Sequence, residues 1–377
     1  MIQHKPSPNL KVGIIIPTMN RPEFIIRQLN YYASINCPHP IYIGDSSDDE
    51  HAQKLQKEIE RKREFLKINY WRYPKSEFSP AKSMAECMQG LFSRVKEKYT
   101  AFIGDDDYQI PSSLSKCAEF LENNPDYSSA SGQAVSFRLI NNGSYGELKR
   151  LSDYPRRKIE FPTAAERLAD FMPNYYVPLF SVHKTELMKK CWSQTTKLKN
   201  WDFSTEILPS AMSLIWGKSK ILDCLGFVRQ IHNIQHESPN IFDWITGKDW
   251  YSSYEIFSDT LANEIVAKDN ITINEARQAV KQSFWGYVVD QSSKSYNVKY
   301  AARSNSPKKI NSNLLQGFKL GLGQNFSWLK NFYRRAIRPL TGAPLQLHYE
   351  VLRPESKYYK DFKPVMDSFT GNSTQRD

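Results

Sequence analysis

Three consecutive aspartates, Asp105, Asp106 and Asp107, follow the run Tyr99-Thr-Ala-Phe-Ile-Gly104 and precede Tyr108-Gln-Ile-Pro111. Five residues of high strand propensity that run into a glycine, three acids and a proline read as a buried parallel strand that stops abruptly. In open α/β sheets, ligands bind outside the carboxyl ends of the strands. Three carboxylates at such an end repel one another and titrate high unless a cation or hydrogen-bond donors neutralise them. Hard divalent cations such as Mn²⁺ or Mg²⁺ take oxygen ligands of this kind and share them with substrate phosphates. A solvated, Asp-rich turn is the competing interpretation, since Asp is a common turn residue.

Similar groups stand at other strand ends. Val12-Gly-Ile-Ile-Ile16 is a continuous β-branched run, as expected of a strand buried on both faces, and Pro17-Thr18-Met19-Asn20-Arg21-Pro22 stops it. Asn20 can cap the next helix and Pro22 suits its first turn, with Phe24, Ile25, Leu29 and Tyr32 as the apolar face. Pro40 to Gly44 runs into Asp45-Ser-Ser-Asp-Asp49, where Asp45 by itself suits an Asx turn. Lys220 to Val228 ends at Arg229-Gln-Ile-His232, with His236 close behind. Between them, Asn200-Trp-Asp202-Phe-Ser-Thr-Glu206 leads into a helix on which Phe203, Ile207, Leu208, Met212 and Ile215 share a face. Asp202 suits the N-cap of that helix.

The elements that position these groups alternate. A charged helix follows Asp49 to about Lys67, then a short strand from Ile68 to Tyr73. A helix from Ser79 to Val95 turns Met84, Met88, Leu91 and Phe92 inward, and the Asp105–Asp107 strand comes fourth. Such alternation means βαβ units, right-handed crossovers and a mostly parallel sheet. Ser112 to Asn123 reads as a helix. Ser128–Ile140 and Tyr145–Leu151 read as a hairpin about Asn142-Gly143 with a type I′ turn. Tyr175 to Val182 reads as an apolar strand before a helix from Lys184, with His183 capping that boundary or facing solvent.

The chain has 377 residues, 40% hydrophobic and 13% aromatic, enough for a sizeable core. Its five cysteines are scattered and never spaced as CxxC, which points to reduced thiols and no zinc framework. The opening MIQHKPSPNLK lacks the apolar centre of a signal peptide, and no run of about 18 apolar residues is long enough to span a bilayer. Between Lys294 and Lys363, basic residues outnumber acidic ones fourteen to three, a surplus equal to the whole formal charge of +11. Asp243 to Tyr300 reads as helical, with Ile256, Leu261, Ile265, Ala279, Phe284 and Val288 inward. Leu314 to Leu340 has the composition of an interfacial amphipathic helix, or of a helix packed on its own domain with its basic face in water. The basic excess is terminal and no nucleic-acid-binding signature accompanies it, so no nucleic-acid partner is expected.

In their order, IIIPTMNR, IGDSSDD and FIGDDDYQIP resemble the donor half of a family 2 glycosyltransferase of the bacterial surface-polysaccharide type, over roughly residues 10–240. The resemblance implies a GT-A, Rossmann-like α/β catalytic domain at 1–240. A helical extension at 241–303 and a basic region at 304–377 lie beyond it. It implies a nucleotide-sugar donor held by Pro17, Thr18, Asn20, Arg21, Asp45, Asp105 and Arg229, and Mn²⁺ or Mg²⁺ held by the acidic motif and His232. The family's first acid would fall on Gly104, so both Asp105 with Asp107 and Asp106 with Asp107 remain as the metal-binding pair. The family's catalytic acid pair, counted back from Gly217, places its second member on Glu206 and leaves Thr205 for the first. Asp202, one turn earlier, is the competing base.

The expected reaction is inverting transfer of a sugar to a hydroxyl of a glycan or lipid-linked acceptor. The expected place is the cytoplasm, with possible attachment of the basic region to an anionic membrane face. A sugar nucleotidyltransferase is the alternative enzyme, though no Gly-rich loop with a following Lys or Arg succeeds the first strand. A catalytically inactive carbohydrate-binding or scaffold protein is the non-enzymatic alternative, on the strength of Gly104 and Thr205.

Overall fold

The computed structural model of the chain describes residues 10–73, 80–233, 239–296 and 346–371. The fold is α/β, as expected from the alternation of elements. Its first half runs β1 (Val12–Thr18), α1 (Pro22–Ser34), β2 (Ile41–Asp45), α2 (Asp49–Lys62), β3 (Ile68–Arg72), α3 (Pro80–Arg94) and β4 (Tyr99–Phe102). These four strands pair in parallel in the order β3-β2-β1-β4. β1 and β2 are buried almost throughout, which is why both read as apolar runs without alternation. The register sets Thr18 beside Asp45, so both side chains reach the same edge.

The remaining strands extend the sheet. β5 (Tyr108–Gln109), α4 (Pro111–Asn123), β6 (Tyr127–Leu139), β7 (Leu148–Tyr154), α5 (Ala164–Phe171), β8 (Val182–Lys184), α6 (Thr185–Thr195), α7 (Leu208–Ile215) and β9 (Lys218–Gln230) follow. β8 lies antiparallel between β4 and β6, and β9 runs parallel to β6. β9 thus delivers Arg229 and Gln230 to the edge where β1, β2 and β4 end.

Several local expectations are revised. The Tyr175–Val182 strand is absent; two 3₁₀ turns (Met172–Asn174 and Pro178–Phe180) precede the short β8. Pro173 and Pro178, each early in a turn, favour these bends over a ladder. The β6–β7 hairpin forms, but its connection is long. Asn142 is left-handed (φ 55°), Gly143 is not, and a type I′ turn needs both. Gly146 carries a positive φ of 153° instead, and its N–H donates to the carbonyl of Phe369. Asn20 does not cap α1. It is itself left-handed (φ 56°) and ties the first loop to the second. Its N–H donates to Ser47 Oγ at 2.8 Å, its side-chain amide donates to Asp48, and its oxygen accepts from the Asp48 N–H.

Helices on both sides of residue 240 pack together. α8 (Ile241–Ile245), α9 (Trp250–Asp269) and α10 (Ile273–Tyr296) share one core with α5 and α7, centred on Phe203, Phe257 and Phe284. The expected basic C-terminal region also divides. α11 (Leu347–Glu350) and α12 (Tyr359–Thr370) return to the sheet core, where Phe362, Val365 and Phe369 are buried and Phe369 stacks on Phe137 at 4.5 Å. Such aromatic pairs contribute about 0.5–1.5 kcal/mol beyond their buried area. The amphipathic segment Leu314–Leu340 and His236 lie outside the described residues. Among the described residues no helix is long and apolar enough to cross a membrane.

Two buried histidines give the fold a pH dependence. His39 Nδ1 accepts from the N–H of Val12, and its Nε2 lies 3.0 Å from the carbonyl of Pro111, so the neutral Nε2–H tautomer satisfies both. Burial pushes His39 and His183 down from 6.5 to about 4. His183 is a sheet-interior residue held to the Pro178 carbonyl, not a surface or capping residue. The unfolded chain protonates these rings first, so their contribution is complete above pH 6.5 and is lost as pH falls to about 4. Each ring accounts for up to about 3 kcal/mol. Asp105, raised to about 6, works in the opposite direction. Urea unfolding of wild type and His183→Gln at pH 7 and 4.5 is expected to show a shallower pH slope in the variant; equal slopes would refute this.

Candidate active site

The acid triplet lies in the turn between β4 and β5. All three aspartates are buried, at 1–5% exposure. Gly104 explains the departure from the family pattern. A Cβ on it would stand 2.7 Å from Asp106 Oδ1, so a larger residue here would push the Asp106 carboxylate out of its present position, whereas Asp107 Oδ2, at 3.6 Å, would be in ordinary contact.

Each carboxylate has its own partners. Asp105 Oδ2 accepts from Thr18 Oγ1 at 2.7 Å, and its Oδ1 is paired with the Arg21 guanidinium. Asp106 Oδ2 lies 2.8 Å from His232 Nε2 and 3.3 Å from Arg21 Nη1. Asp107 Oδ1 accepts from the backbone N–H of Gln230 at 2.8 Å. Burial pushes Asp105 up to about 6, with repulsion from Asp106 adding to it and Arg21 opposing. Asp107 is pushed well above the usual carboxylate range by burial and then by Asp106. Burial would lower Arg21 and Arg229, but the acids outweigh it and hold both guanidinium groups above their ordinary values.

The backbone of the triplet is held from α1 by two residues the sequence reading missed. Arg27, fully buried, donates to the carbonyls of Asp106 (2.6 Å) and Ser144 (2.5 Å) and to Gln230 Oε1 (2.5 Å). Gln28 donates to the carbonyls of Gly104 (3.0 Å) and Asp107 (2.5 Å). Position 28 falls among Phe24, Ile25, Leu29 and Tyr32, so a polar residue on the helix's apolar face was the available signal.

Asp45, at the end of β2, is buried. Its Oδ1 accepts from the N–H of Ser47, an Asx turn, and its Oδ2 from Tyr70 OH on β3 at 2.6 Å. Pro17 sits beside Gly44 in the β1–β2 register. The structure therefore gathers Pro17, Thr18, Asn20, Arg21, Asp45, Asp105–Asp107, Arg229 and His232 at one end of the sheet.

Glu206 and Asp202 approach from the helical side. Phe203–Ile207 form a π-helical turn, closed by the N–H of Leu208 donating to the carbonyl of Phe203. Pro209 has no N–H to return to residue 205, which accounts for the widened ladder. Glu206 is half-buried and its Oε1 accepts from Tyr175 OH at 3.0 Å. Burial raises its carboxyl, and Tyr175 and Arg229 pull it back. Arg229 is within electrostatic range of Glu206, Asp107 and Asp106, and so links the two acid groups. Its Nη1 donates to Tyr154 OH.

Among the described residues no three His, Cys, Asp or Glu side chains form a cage for a metal ion. Mg²⁺-type sites characteristically use one or two protein ligands and fill the rest with water and substrate phosphate. The Asp106 carboxylate is a hard oxygen ligand of that kind, and the His232 imidazole, hydrogen-bonded to it at 2.8 Å, is the nearest nitrogen donor.

Neither a protein-family model nor a curated protein matches the chain. Among solved structures, the crystal structure of S. aureus TarS 1–349 in complex with UDP-GlcNAc is similar over 77% of this chain and 76% of that chain, at 16% identity and a TM-score of 0.49. The crystal structure of S. aureus TarS 1–349 covers 82% and 78%, at 15% identity and 0.44. The mannosyltransferase PcManGT from Pyrobaculum calidifontis, in complex with GDP-Man and Mn²⁺, covers 87% and 86%, at 10% identity and 0.41.

Proposed function

We propose that this chain is a GT-A glycosyltransferase that moves a sugar from a nucleotide-activated donor to a hydroxyl of a glycan or lipid-linked acceptor, with inversion. The observation that carries this reading is the convergence of Thr18, Asp45, the acid triplet and the Arg229–His232 end of β9 at the carboxyl edge of adjacent strands. Asp45 and the first loop bind the nucleoside, while Arg21 and Arg229 face the diphosphate. Asp106 and His232 hold Mn²⁺ or Mg²⁺, which when bound supplies positive charge to the departing diphosphate. Glu206 removes the proton from the acceptor hydroxyl, with Asp202 as the competing base. Tyr175 orients the Glu206 carboxylate, and Arg27 and Gln28 keep the triplet in place. Attachment to an anionic membrane surface belongs to the same reading, through the basic region 304–377.

A thermal-shift panel of nucleotides and nucleotide-sugars, with and without Mn²⁺, tests it. A ligand that binds only the native state adds RT ln(1 + [L]/Kd), about 2.7 kcal/mol at 100 Kd. A Mn²⁺-dependent shift with one nucleotide-sugar, followed by sugar transfer, is expected. No shift with any of them would refute the reading. Binding without turnover would favour the scaffold alternative, which the closure of Asp105 by Thr18 and Arg21 supports. Pyrophosphate release from a nucleoside triphosphate would favour the nucleotidyltransferase.

A further inference from the structure

Arg21 occupies the position of a second cation. Its guanidinium bridges Asp105 Oδ1 and Asp106 Oδ2, and that same Asp106 oxygen meets His232 Nε2 at 2.8 Å. The oxygen best placed to share an ion with His232 therefore already carries a positive partner. The three parties differ in exposure. The side chains of Asp105 and Asp106 are 2% and 7% exposed, but that of Arg21 is 26% exposed, so it reaches the acids from the solvent edge. It lies over the ring of Phe24 at 5.4 Å, and Phe24 stacks on His232 at 5.0 Å, so Phe24 guides both groups. Arg21 also sits on a short loop between Asn20, in a left-handed conformation, and Pro22. The loop fixes its backbone, and the partly exposed side chain reaches the acids from there.

We propose that Arg21 is a displaceable counter-cation that makes metal binding depend on nucleotide. This rests on the metal reading above. In the ligand-free protein Arg21 neutralises Asp105 and Asp106, and its charge opposes a divalent ion at the shared oxygen. A nucleoside diphosphate presents anionic oxygens to the guanidinium, whose planar fork suits phosphate as well as carboxylate. Once Arg21 turns to phosphate, the Asp106 oxygen is released to the ion beside His232. Phosphate and ion then enter together, so Asp106 is not left buried without a positive partner, and Asp105 keeps the hydrogen bond from Thr18. Arg21 is thus a positioning residue for the ion and a binding residue for the diphosphate.

The test is Mn²⁺ binding followed by electron paramagnetic resonance at pH 8, on wild type, Arg21→Gln and Arg21→Lys, with no nucleotide and with UDP or GDP. Couplings between two ligands of this kind typically lie in the range of about 5–150-fold. Wild type is expected to bind Mn²⁺ at least about tenfold more tightly with its nucleotide than alone. Arg21→Gln is expected to bind Mn²⁺ alone about tenfold more tightly than wild type, and to lose most of the nucleotide coupling. Arg21→Lys keeps the charge but not the fork across two carboxylates, and is expected to shift in the same direction by less. Its result decides if the glutamine variant is unstable. Mn²⁺ affinity without nucleotide that is unchanged or weaker in both variants overturns the role of Arg21 while leaving the metal reading intact. Wild type that takes up no Mn²⁺ even with nucleotide overturns the metal reading itself, and the role of Arg21 with it.

Discussion

Asp106→Asn is expected to abolish Mn²⁺-dependent binding of the nucleotide-sugar while the fold survives. Asp106 is the acid whose Oδ2 meets both His232 and Arg21, so the substitution removes a carboxylate shared by the imidazole and the guanidinium. Loss of even an outer-shell partner costs about 10–100-fold in metal affinity, and a direct ligand is expected to cost at least that. Lewis-acid stabilisation of the transition state is worth several kcal/mol, so kcat/KM is expected to fall by about 10³-fold or more. The fold is expected to tolerate the change for an electrostatic reason. Asp106 raises both Asp105 and Asp107, so its neutralisation relieves two buried neighbours, and the Asn oxygen still accepts from Arg21. Asp107→Asn is the less specific probe, because Asp107 Oδ1 also anchors the end of β9 through Gln230. Wild-type Mn²⁺ dependence in Asp106→Asn, at an unchanged melting temperature, would remove Asp106 from the ion site.

What the sequence disclosed and what it hid divide along the range of the interactions. β1, β2 and β4 were legible because burial on both faces of a parallel sheet leaves continuous β-branched and aromatic runs, and those runs end in glycine, proline and aspartate. Thr18, Asp45 and the triplet follow from the same local pattern, since Thr18 and Asp45 close their strands and the triplet lies just beyond β4. Their partners did not follow. Arg21 and Asp105 are 84 positions apart, Arg27 and Gln230 are 203 apart, and neither pair leaves a spacing signal. The antiparallel insertion of β8 between β4 and β6 is three residues long, too short for a period-2 pattern to declare itself. α12 read as part of a basic tail because the Lys/Arg surplus is spread along the chain before it, while Phe362, Val365 and Phe369 form a narrow buried stripe. Asn20 read as a cap because capping and left-handed turns favour the same residue type.

Glu206→Gln is expected to lower kcat by about 10² or more while donor binding stays near wild type, because a positioned general base typically contributes about 10²–10⁴-fold. Gln keeps the size of Glu and still accepts from Tyr175 OH, so the variant removes the proton acceptor and little else. The pH profile adds a readout that a purely structural role would not move. Burial raises Glu206 above the ordinary glutamate range, so the base form, and with it kcat, is gained as pH rises through that value. This acid limb is expected to vanish in Glu206→Gln. Tyr175→Phe removes a hydrogen bond that lowers Glu206, so the limb is expected to move to higher pH in that variant with the plateau rate largely kept. Asp202 lies one turn earlier, at the start of the same π-helical turn. An active Glu206→Gln beside an inactive Asp202→Asn would transfer the role to Asp202, and full activity in both would place the base on another residue.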